Sequence, residues 1–169
     1  MTTMKQEEFN KRWIKHIKWL DGKKGGVQFR TTHRDLSGLE FPKRMDQVII
    51  LACHMFQSSF RDVSLQGADL RDCTFFKSDF EGADLTAADL KDCDFVGCNL
   101  RGANFEGADL QHADLYDADA MYANFRGANL HGANLWFKRA KIEVWQAVQR
   151  AMTLHVFQTK TAGKGDVGV

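Results

Sequence analysis

The sequence predicts an all-β solenoid of four-sided coils, and three observations carry that reading. Leu or Phe recurs every five residues from Phe60 to Leu135, with a single lapse at Ala120. The residue two before each is small, as at Ser58, Ala68, Cys73, Ser78 and every site from Ala103 to Ala133, and only Val63 is larger. Gly stands two after the Leu/Phe at Gly67, Gly82, Gly97, Gly102, Gly107, Gly127 and Gly132. A fixed period over this length marks a repeat architecture.

The period also dictates the shape. In extended chain, residues two apart share a face, so Ala68 and Leu70 point one way and Asp69 the other. Five is odd, so a straight strand would expose every second Leu. All of them stay inside only if the chain turns once per repeat, and the Gly positions supply that turn. Quarter-circle turns close a square after about four repeats, giving coils of about twenty residues stacked at about 4.8 Å. The large residue fills the centre, and the small one lets the walls approach.

Segments such as Ala83-Asp84-Leu85 and Ala128-Asn129-Leu130 spell A-[DN]-[LF], and on these the chain resembles the pentapeptide-repeat proteins. That resemblance implies a right-handed quadrilateral β-helix with the Leu/Phe and small positions inward, here of about five coils. It implies nothing specific about function, because fold does not fix function.

The chain divides into four parts. Residues 1–30 hold a basic amphipathic helix, with Phe9, Trp13, Ile17 and Leu20 at helical spacing and Lys5, Lys11, Arg12, Lys15 and Lys18 on its polar surface, ended by Gly22, Gly25 and Gly26. This helix is expected to cap the N-terminal end of the solenoid. Residues 31–135 form the β-helix. Leu36 and Phe41 fit one register and Met45, Ile50 and Met55 the next, with Pro42 at the join, so 42–55 is expected to be irregular and the apolar run Val48–Ala52 buried. Residues 136–158 are expected to form a capping or dimerisation helix with the stripe Val144, Val148 and Met152, and 159–169 a mobile tail. The resemblance adds an option here, since the quinolone-resistance members of the family dimerise through their C-terminal end.

Charge is unevenly placed. Residues 1–55 carry eleven Lys/Arg against six Asp/Glu, residues 56–135 six against fourteen, and residues 136–169 six against two. An acidic barrel therefore lies between basic ends. No apolar run long enough to span a membrane is present, the start lacks a signal-peptide core, and four Cys without CxxC spacing suit a reducing cytoplasm. Cys73, Cys93 and Cys98 fall on inward sites and read as small core residues. The Asp residues are spread by the repeat and the six His are scattered, so no catalytic, metal or cofactor-binding group is expected, nor a small-molecule substrate. The chain reads as no enzyme.

What remains is a protein-binding role with a partner of unknown identity. The resemblance implies one specific form of it, because some members of the family are acidic dimers that imitate duplex DNA and engage a topoisomerase. With twenty residues per coil, Asp69, Asp72, Asp89, Asp92 and Asp109 fall on one wall, as an acidic column for a basic partner site. Arg71 and Lys91 share that wall and partly neutralise it. Asp69, Asp89 and Asp109 are expected to stack as like charges, so converting them to Asn should leave the melting temperature unchanged or raised. The alternative is a structural or assembly scaffold with no mimicry. Its mark is an apolar column of Phe76, Val96, Tyr116 and Trp136, each directly after an inward residue and so pointing outward. Direct nucleic-acid binding by the basic helix is disfavoured by the acidic barrel beside it. A bacterial or phage origin fits this reading.

Overall fold

The computed structural model describes residues 1–140. Its organisation follows from where the backbone N–H groups of one repeat go. In the repeat Leu85–Asp89, the Leu85 N–H donates to the Asn104 carbonyl of the next coil at 2.7 Å and the Ala87 N–H to the Glu106 carbonyl at 2.9 Å. The Asp89 N–H donates back to Ala68 of the previous coil at 2.9 Å, and the Ala88 N–H closes the corner on Leu85 at 3.1 Å. The fifth, Thr86 N–H, is accepted by the Asp84 carboxylate at 3.0 Å. Every donor of the repeat is satisfied, as buried or half-buried backbone requires.

Stacking this unit gives four columns of parallel bridges at twenty-residue steps. Face A runs Arg44, Ser64, Asp84, Asn104, Asn124, and face B runs Ile49, Asp69, Asp89, Asp109, Asn129. Face C runs His54, Thr74, Asp94, Asp114, Asn134, and face D runs Ser59, Asp79, Asn99, Asp119, Arg139. Each column has five members, so the bridged residues make five levels of a four-sided β-helix. The residue at each corner is left-handed whether or not it is Gly: Ala87 has φ 55°, Lys77 56° and Tyr122 66°, beside Gly82 and Gly107 at 67°. That conformation is strained for a residue with a Cβ, yet the corner imposes it.

Inside, the Leu/Phe sites from Phe60 to Leu135 are buried, and Ala120 is equally so. Aromatic rings stack one coil apart: Phe60 on Phe80 with centroids 4.6 Å apart, Phe75 on Phe95 at 5.0 Å, and Phe105 on Phe125 at 4.9 Å. Cross-wall pairs such as Phe75 and Phe80, 5.1 Å apart and nearly perpendicular, join these stacks into one core.

The first coil differs from the sequence expectation in its boundaries. Strand β1 (Thr2–Thr3) pairs with β3 (Arg34–Asp35), and β2 (Arg30–Thr32) with β4 (Ile49–Leu51), all parallel. Thr31 meets Ile50 and Asp35 meets His54, an offset of nineteen residues, whereas Arg44 meets Ser64 at twenty. One residue is missing between Phe41 and Met45, at the Pro42 corner. Residues 44–55 are therefore regular, and the expected irregularity of 42–55 is confined to the turn before Arg44. Val48 and Ile50 are buried, but Ile49 and Leu51 are only half-buried. The strand alternates, so Val48–Ala52 is not buried throughout. At the other end the ladder outlasts Leu135: Lys138 N–H donates to Ala118 at 2.9 Å and Ala120 N–H to Arg139 at 2.8 Å. Pairing needs backbone only, so loss of the Leu/Phe signal does not end it. The helix and tail expected from the C-terminal sequence, with Val144, Val148 and Met152, lie outside the described residues.

Helix α1 spans Gln6–Leu20. Glu7 and Glu8 in its first turn and Lys18 in its last suit the helix dipole. Phe9 packs on Phe29 (5.3 Å) and on Phe41 (5.6 Å), and Phe41 stacks on Phe60 (4.6 Å), so the helix joins the aromatic core. Gly26 permits the return strand to lie close, since a Cβ there would stand 2.4 Å from the Trp19 backbone nitrogen. The buried helix positions are Phe9 and His16, while the expected Ile17 and Leu20 are half-buried. His16 is tied at both ring nitrogens. Nδ1 accepts the Phe29 N–H at 3.0 Å, and Nε2 lies 3.0 Å from the Asp46 carbonyl, to which it donates as the neutral tautomer. A histidine among apolar residues is acceptable here because it satisfies two backbone groups.

Two predictions follow from this packing. Leu90→Ala should cost about 2–5 kcal/mol, whereas Arg126→Ala, at an exposed outward site, should cost under about 0.5 kcal/mol. Chemical denaturation of both variants checks the inward–outward assignment, and equal losses would refute it. Burial, countered by the Asp46 carbonyl and charge, holds His16 below its usual 6.5. Its neutral form stabilises the fold fully above pH 6.5, and that contribution falls as the pH drops towards the depressed folded value. His16→Gln should remove this part of the acid slope. His16→Ala, which strands the Phe29 N–H, should cost about 1–3 kcal/mol at neutral pH. Unfolding curves from pH 8 to 5 that are parallel for wild type and His16→Gln would refute the titration.

Candidate interaction surfaces

The outward side chains first serve the corner. The carboxylate or amide of a bridging residue accepts the N–H two residues on, as Asp94 does from Val96 at 2.8 Å and Asp114 from Tyr116 at 2.9 Å. Asn99 and Asn104 do the same for Arg101 and Glu106, each at 3.2 Å. Asp and Asn are interchangeable here because both offer an acceptor oxygen at the same reach. Much of the barrel's negative charge thus accompanies a structural cap, a role the sequence reading did not assign to it. The exchange of Asp with Asn along the repeat was the available signal.

On face B the expected acidic column exists in geometry but not as bare charge. Asp69, Asp89 and Asp109 bridge in succession. Arg71 holds Asp69 with two hydrogen bonds, 2.8 and 2.7 Å, and reaches Asp89 at 3.5 Å. Lys91 spans Asp89 at 3.2 Å and Asp109 at 3.0 Å. Charges alternate up the wall, and each cation ties one coil to the next. Hydrogen bonding from Arg71 holds the Asp69 carboxyl below its usual range. For Asp109 burial pushes upward, but Lys91 and Gln111 outweigh it and the net shift is down. The interleaved cations reverse the expectation of repulsion between stacked carboxylates. Asp72 and Asp92 are not in this column. They sit at left-handed corners, φ 61° and 57°, exposed, and enter no ion pair among the described residues.

The edge between faces D and A is laced in the same way. Arg61 pairs with Glu81, and Arg101 (3.4 Å) and Arg139 both pair with Asp119. On face A an amide chain runs from Asn124 to Asn104 at 2.8 Å and from Asn104 to Thr86 at 2.9 Å. Thr86 is therefore part of a cross-coil network.

The edge between faces C and D is different. Phe76, Val96, Tyr116 and Trp136 follow the face C bridging residues 74, 94, 114 and 134, and so stack in one outward column as the sequence reading placed them. Phe76 is 37% exposed, Tyr116 54% and Trp136 77%. Phe56, 38% exposed, extends the column downward by one coil, next to the His54 ring at 4.8 Å. It was missed because the count began at the strict repeat, and a further step of twenty finds it. Lys77 lies over the Phe76 ring at 5.0 Å. Beside Trp136 a polar cleft of about 290 Å³ is lined by Asn99, Arg101, Asp117, Asp119, Lys138 and Arg139, and the Asp119 ion pairs cross it.

The thiols are structural. Cys73 donates to Ile50 at 3.1 Å, Cys93 to Leu70 at 3.0 Å and Cys98 to Phe75 at 3.0 Å. Burial pushes Cys98 up to about 12, and Cys73 and Cys93 are raised as well. A buried, protonated donor is a poor nucleophile and a poor ligand. Among the described residues, no group of three His, Cys, Asp or Glu is placed to hold a metal ion.

With the five-residue corner and twenty-residue ladder established, residues 68–146 also match a family profile described as a pentapeptide repeat region. The chain is a pentapeptide-repeat protein. Membership implies the right hand of the quadrilateral β-helix. No curated protein matches the sequence. Among solved structures, a pentapeptide-repeat protein of the Arabidopsis thaliana thylakoid lumen is 27% identical over 62% of this chain and 63% of its own, with a TM-score of 0.44. HetL of Nostoc sp. strain PCC 7120, involved in heterocyst differentiation regulation, is 25% identical over 64% of this chain and 59% of its own, with a TM-score of 0.38. QnrB1, a plasmid-mediated fluoroquinolone resistance protein, is 18% identical over 70% and 78%, with a TM-score of 0.43. The match to this pentapeptide-repeat chain spans about three fifths of the length of the first two.

The corner cap and the face B ladder give separable outcomes. Asp94→Asn keeps the acceptor and should leave stability nearly unchanged, while Asp94→Ala should cost about 1 kcal/mol. Asp89→Asn weakens the cross-coil pair with Arg71 and the pair with Lys91 in its own coil, and should lower the melting temperature at low salt, with the deficit shrinking at high salt. A rise in melting temperature for Asp89→Asn would restore the repulsion view of this wall.

Proposed function

We propose that this pentapeptide-repeat protein is a non-catalytic protein–protein interaction module, a rigid post whose contact is the edge between faces C and D. One observation carries the reading. Face B, face A and the D–A edge tie outward side chains across coils, whereas the C–D edge stacks five apolar side chains, of which Phe56, Phe76, Tyr116 and Trp136 are exposed and Val96 is half-buried. A contiguous exposed apolar strip on a fold this closely packed marks a contact surface, and aromatic side chains such as Tyr116 and Trp136 are its natural anchors. Pentapeptide-repeat proteins are in general structural or binding modules, which agrees. At the N-terminal end α1 closes the core of the post through Phe9 and Phe41.

DNA mimicry towards a nucleic-acid-binding enzyme such as a topoisomerase is the second reading. It is favoured by Asp72 and Asp92, which stand exposed one coil apart without ion pairs among the described residues, and weakened by the neutralised column Asp69–Asp89–Asp109. Electrophoretic competition separates the two, because a mimic displaces DNA from its target and a scaffold does not.

Tyr116→Lys tests the leading reading. Affinity capture from bacterial lysate by the wild-type chain, read by mass spectrometry, should lose its specific partner with the variant while the melting temperature is unchanged. A variant that melts early and keeps every partner would show the column to be internal packing and sink the proposal.

A further inference from the structure

Among the described residues, most carboxylates of the barrel at 56–135 that enter no ion pair lie on face C and its two corners, Asp84 and Glu106 on the far side being the others. Asp94 and Asp114 lie in the central column of face C, Asp72 and Asp92 at its far corner, and Asp117 at the near corner directly after Tyr116. None of the five enters an ion pair among the described residues, in contrast to Asp69, Asp89, Asp109 and Asp119, each bound to Arg or Lys. Asp114 spends one oxygen, Oδ1, on the Tyr116 N–H and the Asn134 amide at 2.9 Å, which leaves Oδ2 for a visitor. Lys77 is drawn over Phe76 at the lower part of the column. Val96 and Tyr116 are flanked by Asp94, Asp114 and Asp117, while Lys138 and Arg139 stand beyond them in the cleft next to Trp136.

From this charge pattern we infer that the C–D edge takes a basic amphipathic helix of another protein, with its apolar stripe on the column and Lys or Arg beside the stripe over Asp94, Asp114 and Asp117. The inference rests on the interaction-module reading and names the class of partner. The spacing suits a helix laid along the column. Coils repeat at about 4.8 Å and helical turns at about 5.4 Å, so one turn meets one coil. From Phe56 to Trp136 there are four coil steps, about 19 Å, which a helix covers in about 13 residues. Attraction between unlike charges around an apolar centre sets orientation and partner choice.

The test uses the full chain and two synthetic peptides of about 18 residues. Both carry the same Leu stripe at helical spacing, one flanked by Lys and the other by Glu. Fluorescence anisotropy of the labelled Lys peptide should report binding at least about tenfold tighter than that of the Glu peptide. Tyr116→Lys should weaken it by about tenfold or more, and Asp114→Asn with Asp117→Asn by several-fold, the corner cap being kept by Asn. Added salt should weaken binding, and Glu106→Gln on the distant A–B edge should leave it unchanged. Equal affinity for both peptides, or an equal loss with Glu106→Gln, overturns the inference while the module reading stands. A dimer in sedimentation that Tyr116→Lys dissociates overturns it too, because a second copy then fills the edge. If neither peptide binds and Tyr116→Lys also loses no captured partner, both readings fail together.

Discussion

The structure depends on a hydrogen bond that closes each corner from the outside, from the N–H after the inward Leu or Phe to the Asp or Asn oxygen two residues earlier. Four of the five donors in a repeat find carbonyls along the ladder or across the turn. The fifth points along the outer edge, where only a short side chain can reach it. This explains why the outward middle site of each wall is Asp or Asn and rarely a longer residue. It also explains the left-handed residue that follows, because once this donor is held the chain has one way round the corner. Ala87, Lys77 and Tyr122 accept that conformation although Gly would adopt it without strain.

Charge on such a fold has two origins, and they lead to different behaviour. Carboxylates that cap corners are required by the backbone, so an acidic composition arises before any partner is considered. Their neutralisation is then a matter of which residue stands on the same wall. Arg71 and Lys91 convert face B into a column of alternating sign, and Arg61 and Arg101 do the same at the D–A edge. Face C has no such cations in its central column, so its carboxylates keep their full field beside an apolar edge. The sum over the chain, +1, conceals this division.

Most of the barrel was legible because one period sets both backbone and core. The stacked faces, the buried Leu/Phe and small sites, and the outward column Phe76, Val96, Tyr116 and Trp136 all follow from counting in fives and twenties. What escaped the count obeys no period. The short corner at Pro42 shows in the sequence as a change of frame, but its extent depends on when pairing resumes, and it resumes at Arg44. The ladder continues to Arg139 because hydrogen bonding needs no particular side chain. His16 was invisible as a buried residue since its two partners, Phe29 N–H and the Asp46 carbonyl, are supplied by other segments. For the surfaces, residue positions were readable but pairing was not, because whether Arg71 reaches Asp69 or water is decided by rotamer and reach.

The twenty-residue ladder has a consequence for how such a chain can vary in length. An insertion of five residues between coils keeps every Leu and every corner in phase, so the core would tolerate it. The surface would not survive intact, because all downstream residues move on by one wall: placed after Gly97, it would carry Tyr116 and Trp136 away from Phe76 and Val96. An insertion of twenty restores the columns and only lengthens the post. Folding thus reads the sequence modulo five, and recognition reads it modulo twenty. The surface is therefore the stricter constraint on insertions and deletions, the reverse of the usual order in globular domains, where loops absorb length change and the core forbids it.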